Sequence, residues 1–309
     1  MKARDVIARL FGAFLFASVS ALVSAADKPD GPLVSGEYYV RQTWSQEKDY
    51  DRLYLVNVPA NPEKRKLPVV IFLHGNGSSA RSSADVFRRF PGVMKSYVTV
   101  VADGYLKGWN TTGEKSKADD LGFIEAIIRR LATFDSIQKD GFTVMGVSNG
   151  SALVNQLAIE SRLPNIRSYV AIVSPLNTLQ HDGSHFKAKG ADNNYRALAI
   201  PRTGVRILNL SGTEDRLIPY EGGVSPIPVN NGKLSFVPAE TSVYLWAKAM
   251  GYAGTQLQAP TRIEGQLEVF SYLNGDVVHY KANRRGHDAF DALDEPLLLG
   301  FLKGNLPMR

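Results

Sequence analysis

The sequence predicts an α/β fold with a mostly parallel central sheet and helices on both faces. Short continuous runs of apolar and β-branched residues recur along the chain, as in strands that are buried on both sides. Segments with apolar residues at helical spacing alternate with these runs. The chain has 309 residues, of which 44% are hydrophobic and 21% charged, so it is long enough for one large domain of this kind.

The elements follow one another in a regular order. Two short antiparallel strands are expected to lead into the sheet, at 38–44 and 53–58. The strands expected after them lie at 69–73, 97–102, 142–147, 169–173, 205–210, 267–272 and 277–280. Helices are predicted at 121–131, where Asp119 or Asp120 supplies the N-cap, and at 151–159, 241–250 and 293–302.

The domain organisation is expected to be simple. No internal repeat or linker divides the part after the leader, so 26–309 is predicted to form a single catalytic domain. The longest stretch without a clear period, 174–204, is a candidate lid or substrate wall. An ordinary surface excursion would explain this stretch equally well.

Residues 1–25 have the layout of a cleaved signal peptide. Three basic residues among the first nine positions precede an apolar run from Leu10 to Val23, and small residues follow up to Ala26. The run is shorter than the ~20 residues that a membrane-spanning helix needs, so cleavage is favoured over a retained anchor. The mature protein is therefore expected to be secreted or periplasmic, monomeric and without membrane contact.

Composition excludes several kinds of chemistry. The net charge is +6, but the basic residues are scattered, so no nucleic-acid partner is expected. The absence of cysteine excludes disulfides, thiolate catalysis and cysteine-ligated metals. His181 and His185 have the spacing of two metal ligands on a helix, but Gly183 between them argues against a helix. Neither a metal nor a cofactor is expected.

A candidate nucleophile lies at the junction of a predicted strand and a predicted helix. Gly146-Val147-Ser148-Asn149-Gly150 has the Gly-x-Ser-x-Gly pattern of a nucleophile elbow, in which the serine occupies a strained turn at the edge of the sheet. Glycines on both sides allow the strand and helix backbones to approach closely. The pattern alone is weak evidence, because a serine here could simply cap the helix.

A carboxylate and a histidine follow in the order that this fold requires. Asp215 lies in a loop just after the strand at 205–210, and His287 lies in a loop after the strand at 277–280. Each alone could be a turn residue or a surface histidine. Together they predict a catalytic triad in which Ser148 is the nucleophile, His287 the base and Asp215 the residue that orients the histidine.

The remaining elements of the site follow from the triad. The tetrahedral oxyanion needs hydrogen-bond donors, and the backbone amides of Asn149 and Asn76 are the expected ones. Of the other histidines, His74 ends a buried strand and His279 lies within an apolar strand. Both are therefore expected to be structural.

A set of segments, taken together, resembles the esterase family that contains feruloyl esterases and polyhydroxybutyrate depolymerase-like enzymes, within the α/β-hydrolase superfamily. In chain order these segments are Leu73–Gly77, Gly108–Asn110, Asp119–Ile124, Gly146–Gly150, Gly212–Gly223 and Gly286-His287. The resemblance implies an α/β-hydrolase fold, the same three triad residues, and substrates that are aryl or acetyl esters of plant cell-wall polymers or hydroxyalkanoate oligomers. Many relatives have a cysteine where Asn76 stands. Trp109 and Phe290 are candidate apolar walls of the substrate pocket, and a place in the core is an equally good explanation of these aromatic residues.

The expected function is a secreted serine esterase that hydrolyses feruloyl or acetyl esters of plant cell-wall polysaccharide. A hydrolase of polyhydroxyalkanoate or other polyester oligomers is the second hypothesis. It is placed second because no separate polyester-binding module is recognised after the catalytic domain. Two further hypotheses are an acyltransferase with the same triad and a non-catalytic polymer-binding protein on the same fold.

Overall fold

The structure is a computed structural model that describes residues 31–60, 66–229 and 232–304. The signal peptide predicted at 1–25 lies outside these residues. Over the three described ranges, no helix combines the length and the apolar character needed to cross a membrane.

The strands are numbered in chain order. They are β1 (Gly36–Trp44), β2 (Glu47–Asn57), β3 (Leu67–Leu73), β4 (Val98–Ala102), β5 (Ile137–Val147), β6 (Ile166–Ile172), β7 (Phe186–Lys187), β8 (Leu198–Ala199), β9 (Arg206–Gly212), β10 (Gly223–Val229), β11 (Gly232–Phe236), β12 (Arg262–Glu264), β13 (Leu267–Tyr272) and β14 (Val277–Ala282).

A ten-stranded sheet has the order β1-β2-β4-β3-β5-β6-β9-β14-β13-β12. The six central strands, from β4 to β14, are parallel to one another, whereas the two strands at each edge pair antiparallel. Paired strands end at nearly the same level: Leu73 is opposite Gly146, one residue before the end of β5, and Gly212 is opposite Ala282. The carboxyl ends of these parallel strands therefore meet along one edge of the sheet, where ligands bind in open α/β sheets.

Helices cover both faces of the sheet. They are α1 (Pro91–Ser96), α2 (Asp120–Leu131), α3 (Asn149–Glu160), α4 (Ala239–Ala249) and α5 (Glu295–Lys303). Apolar residues of α2, α3 and α4 share one core with one set of strand side chains, and those of α1 and α5 share a second core with the alternate set. Burial on both faces explains why the central strands are continuously apolar. This arrangement confirms the predicted fold class.

Local sequence signals agree with the observed helix ends. The α2 helix begins after Asp119, whose carboxylate accepts the amide N–H of Gly122 at 2.9 Å, as an N-cap does. The α5 helix begins after Asp294, which accepts the amide of Leu297 at 2.9 Å. It ends at Gly304, which has a φ of 80°.

Candidate active site

Ser148 lies in a strained turn between β5 and α3. Its φ of 54° and ψ of −120° fall in a region that residues other than glycine rarely adopt. Its amide donates to the carbonyl of Ile172 at 2.9 Å, which ties the turn to the neighbouring strand. A Cβ at Gly146 would lie 2.6 Å from the Gly150 carbonyl, and one at Gly150 would collide with the Leu73 carbonyl. Both glycines are required by close approach of the backbone.

The structure brings Ser148, His287 and Asp215 together. The Oγ of Ser148 lies 2.9 Å from His287 Nε2, and His287 Nδ1 lies 2.7 Å from Asp215 Oδ2. The other carboxylate oxygen of Asp215 accepts the amides of Leu217 and Ile218 at 2.8 and 2.9 Å. The Asp215 side chain is buried, and about a third of the His287 side chain is exposed. The histidine therefore faces both the serine and solvent.

Asp215 and His287 follow adjacent strands. β9 precedes the Asp215 loop, β14 precedes the His287 loop, and the two strands pair in parallel. The loops also bind each other, because the Glu214 amide donates to the Arg285 carbonyl at 2.8 Å. The Arg284 amide donates to the Thr213 hydroxyl at 2.9 Å. These bonds fix the distance between the two loops.

The loop that follows β3 lies against Ser148. An added Cβ on Gly75 would be 3.7 Å from the Ser148 Cβ, and Asn76 lines the same cavity as Ser148 and Asn149. Asn149 occupies the first turn of α3, where backbone amides have no acceptor within the helix. The two residues predicted to stabilise the oxyanion thus both border the space in front of Ser148. Their role as oxyanion donors stays a prediction.

His74 braces this loop, in agreement with the structural role expected from the sequence. Its Nδ1 donates to the Gly75 carbonyl at 2.8 Å, and its Nε2 accepts the Gly104 amide at 3.0 Å. Burial lowers the pKa of His74, which favours the neutral ring that these two bonds require.

A cavity of about 670 Å³ opens beside Ser148. Its volume lies within the range of small-molecule sites. Two segments supply most of its lining. The polar segment contributes Thr111, Thr112, Gly113, Glu114, Lys115 and Ser116, and the apolar segment contributes Leu217, Ile218, Pro226, Ile227, Leu234 and Phe236.

The prediction that Trp109 and Phe290 form walls of the substrate pocket is wrong. Trp109 is fully buried, and its indole N–H donates to the His74 carbonyl at 2.8 Å, so it belongs to the core beneath the loop that follows β3. Phe290 packs on the face covered by α1 and α5, with ring centroids 6.3 Å from Phe72 and 6.1 Å from Phe90. Neither residue lines the cavity. Ile227 and Phe236, which no sequence motif singles out, supply apolar wall instead.

The segment 174–204 binds the polar wall of the cavity and contributes little to the cavity lining itself. Of this segment, only Ser174 lines the cavity. The Asn193 side chain donates to Asn110 Oδ1 at 2.6 Å and to the Thr112 carbonyl at 2.9 Å. The Tyr195 hydroxyl donates to the Thr111 carbonyl. The segment therefore braces the polar wall, and the hypothesis that it is a lid is not needed to explain it.

Asn149 links the nucleophile turn to the polar wall. Its side-chain carbonyl accepts the Trp109 amide at 2.7 Å, and its side-chain NH₂ donates to the Trp109 carbonyl at 3.1 Å. The same NH₂ group reaches Glu114 Oε1 at 2.9 Å. The elbow pattern indicates a role for the backbone of Asn149 alone. These contacts of its side chain depend on a loop conformation that no motif encodes.

The other histidines lie apart from the site. His279 is fully buried in β14, where its Nδ1 lies 2.8 Å from Asn209 Oδ1 and its Nε2 lies 2.8 Å from the Tyr220 hydroxyl. His181 lies in a non-helical segment with its ring against Phe186, at a centroid distance of 4.7 Å. Within the described ranges, no group of three or more side chains is placed to hold a metal ion.

No protein-family model and no curated protein matches this sequence. Several solved structures are similar in outline. Thermogutta terrifontis esterase 2 phosphoramylated by tabun has 14% identity and a TM-score of 0.49, over 88% of this chain and 93% of that one. A thermostable esterase has 14% identity and a TM-score of 0.47, over 70% of this chain, and the match spans about half (52%) of that esterase. The protein sOPH has 12% identity and a TM-score of 0.49, over 72% of this chain and 79% of that one.

Identities this low leave function to be argued from the site itself. The sheet order, the turn that follows β5, and the acid and histidine loops that follow β9 and β14 are those of an α/β-hydrolase fold.

Proposed function

We propose that this protein is a serine hydrolase of carboxylic esters. The observation that carries the proposal is the continuous set of hydrogen bonds from Asp215 through His287 to Ser148, which lines a cavity of about 670 Å³. Ser–His–Asp arrangements of this kind activate a serine hydroxyl that is otherwise a poor nucleophile.

The reaction follows from the positions of these groups. Ser148 Oγ attacks the ester carbonyl carbon while His287 Nε2 takes the hydroxyl proton. The oxyanion that forms accepts hydrogen bonds from the amides of Asn149 and Asn76. When the tetrahedral intermediate collapses, the C–O bond to the alcohol breaks and His287 returns the proton to the leaving oxygen. Water, deprotonated by His287, then attacks the acyl-enzyme and releases the carboxylic acid and free Ser148.

The substrate class is proposed from the cavity and the sequence resemblance together. A cavity with one polar and one apolar wall suits an acyl group of limited size, such as feruloyl or acetyl on a plant cell-wall polysaccharide. Hydroxyalkanoate oligomers are the second candidate, since their short ester units also fit such a cavity. The leader-like sequence at 1–25 supports the further proposal that the enzyme works outside the cytoplasm.

The nucleophile is tested with the purified protein and short-chain p-nitrophenyl esters. Ser148→Ala is expected to lower kcat by about 10⁴-fold or more, because the activated hydroxyl is lost. Ser184→Ala, in an exposed loop, is the matched control and keeps wild-type kcat. A fluorophosphonate probe should label the wild type and the control but not Ser148→Ala. Retained turnover in Ser148→Ala would exclude Ser148 as the nucleophile, and an unreactive wild type would favour a non-catalytic binding protein.

The substrate is tested by assaying methyl ferulate, acetylated xylan and a hydroxybutyrate oligomer side by side. We expect one of the first two to have the highest kcat/KM. A hydroxybutyrate oligomer cleaved with a kcat/KM tenfold above both, about 1.4 kcal/mol in transition-state binding, would reverse the preference. A competing alcohol acceptor in the same assay separates hydrolysis from acyl transfer, since only a transferase would give the new ester as its main product.

A further inference from the structure

The carboxylate of Glu114 is held by hydrogen bonds from one wall of the cavity. Oε2 accepts the amides of Thr111 and Thr112 at 3.0 and 2.6 Å. Oε1 accepts the hydroxyls of the same two threonines at 2.9 and 3.2 Å. Oε1 also accepts the side-chain NH₂ of Asn149 at 2.9 Å. The residue thus folds its own loop into a tight turn and fastens that turn to the residue after Ser148.

Two further hydrogen bonds join this loop to the rest of the domain. Asp120 accepts the Asn110 amide at 2.5 Å, and the Gln46 side chain donates to the Lys115 carbonyl at 2.9 Å. Those bonds anchor the two ends of the loop to the body of the domain. The bonds of Glu114 act at its centre, between Thr111 and Asn149, where the loop lines the cavity.

We propose that Glu114 is a positioning residue that sets the width of the cavity and so determines which acyl groups the enzyme accepts. The inference rests on the proposed esterase function. Thr111, Thr112 and Glu114 all line the cavity, and Glu114 ties them to the turn that carries Ser148. A preorganised wall lowers the entropy lost when a substrate that touches it binds. An ester that is too short to reach the wall gains nothing from it.

A carboxylate is required at position 114 because every partner is a donor. Backbone amides and the Asn149 NH₂ can only donate, and a carboxylate is an acceptor at both oxygens. Glutamine has the same shape, but one end of its amide is a donor. In either orientation that end faces the N–H group of Thr111, Thr112 or Asn149. Glu114→Gln therefore removes either the bonds to the Thr111 and Thr112 amides or the bond to Asn149, with little change in volume.

The test compares Glu114→Gln with Glu295→Gln. Glu295 is the matched control because its carboxylate also accepts two successive amides, those of Gly92 and Val93, at 2.5 and 3.3 Å, but it joins α1 to α5 away from the cavity. For Glu114→Gln we expect kcat/KM for p-nitrophenyl octanoate to fall about tenfold through a higher KM, with the acetate ester within twofold of wild type. Glu295→Gln should leave the octanoate-to-acetate ratio unchanged.

Thr111→Val is the milder variant if Glu114→Gln folds poorly. It keeps the side-chain shape and removes a hydroxyl that donates to Glu114 Oε1 at 2.9 Å and accepts the Asn149 NH₂ at 3.3 Å, so the same ratio should fall, by a smaller factor. Hydrogen exchange gives a readout that does not need activity: the amides of Thr111 and Thr112 should exchange faster in Glu114→Gln than in wild type.

The outcomes separate this inference from the proposed function. An octanoate-to-acetate ratio that stays at the wild-type value in Glu114→Gln, while Ser148→Ala is inactive, overturns the role of Glu114 and leaves the esterase assignment intact. Equal losses on both esters also overturn it, because they indicate a change in the turn that carries Ser148 or in the folded fraction, and not in the wall that contacts the acyl group. A wild type without esterase activity refutes the proposed function itself, and the exchange rates at Thr111 and Thr112 then still report whether Glu114 holds the loop.

Discussion

The hydrogen bonds of Asp215 are divided between its two oxygens in a way that determines the tautomer of His287. Oδ1 accepts the amides of Leu217 and Ile218, which leaves Oδ2 for the Nδ1–H of the histidine. With the proton on Nδ1, Nε2 has a free lone pair that points at Ser148. The two backbone amides therefore act on the serine through the carboxylate and the imidazole.

Asp215→Asn should inactivate the enzyme without unfolding it. The asparagine carbonyl will keep the bonds to Leu217 and Ile218, so its NH₂ group must face His287. The histidine then accepts at Nδ1 and carries its proton on Nε2, where it cannot take the proton of Ser148. We expect kcat to fall by about 10⁴-fold, measured with a p-nitrophenyl ester. A thermal unfolding midpoint near that of wild type is the control, and a loss below tenfold would contradict this account.

The site residues that can be located from the sequence are those that fold topology brings together, and not those that depend on side-chain direction. Ser148, Asp215 and His287 could be located because each follows a strand that an apolar run reveals. Trp109 and Phe290 were misplaced because an aromatic side chain fits a core as well as a pocket wall. Glu114 could not be found, because its partners become neighbours only through the path of an irregular loop.

At the level of elements, a buried ion pair joins the leading hairpin to the first long helix. Arg52 of β2 reaches Asp120 of α2 at 2.5 Å, with both side chains 1% exposed, and its guanidinium lies 3.8 Å from the centroid of the Phe123 ring. The second oxygen of Asp120 accepts the Asn110 amide at 2.5 Å. One carboxylate thus holds a strand, a helix and the loop that continues into the polar wall.

Asp120→Asn should strongly destabilise the protein, because it leaves the Arg52 charge buried without a counter-charge. We expect the free energy of unfolding to fall by about 3–5 kcal/mol, measured by urea denaturation. Asp51→Asn is the matched control. Asp51 pairs with Arg41 at 2.8 Å on the exposed side of the same hairpin, and screening by water should leave its loss close to zero. Similar losses of unfolding free energy in Asp120→Asn and Asp51→Asn would show that burial does not determine how much an ion pair contributes to stability.

The strands whose ends follow most closely from the sequence are those that are buried on both faces. The observed β3, β4, β6 and β9 lie within one to three residues of the predicted ends, because strands buried on both faces must be apolar throughout. β10 and β11 were missed although Asn231-Gly232 is a hairpin signal. Pro226 and Pro228 in β10 cannot donate to a ladder and so hide the strand. The first half of β2 was missed because its outward residues are charged.

For the whole molecule, a histidine enclosed in the sheet makes stability depend on pH. Burial lowers the pKa of His279 from about 6.5 to about 3, and the charge of Lys281 acts in the same direction. Below pH 6.5 the unfolded chain takes up a proton that the folded chain refuses until about pH 3. The unfolded state therefore binds more protons in this window, and the free energy of unfolding falls as the pH is lowered through it.

The loss attributable to His279 should be roughly 2–3 kcal/mol between pH 7 and pH 4.5. The side chain in His279→Gln cannot take up the proton. Between the same two pH values, the free energy of unfolding of this variant should therefore fall by roughly 2–3 kcal/mol less than that of wild type. Chemical denaturation at both pH values measures the difference. His185→Gln removes a histidine that is 59% exposed and should keep the wild-type dependence. If His279→Gln kept it too, the buried histidine would not be the source.

The order of strands in the sheet also has a consequence for the time course of folding. Ser148 and His287 are 139 residues apart in sequence, and they meet only when β6 and β9 have paired between β5 and β14. Parallel strands that are far apart in sequence pair slowly, because the chain loses the entropy of closing a large loop before the stabilising contacts form. A collapsed chain with most of its helices would still not have His287 beside Ser148. The rate at which catalysis returns after dilution from denaturant therefore reports the pairing of the strands from β5 to β14, and not the collapse of the chain.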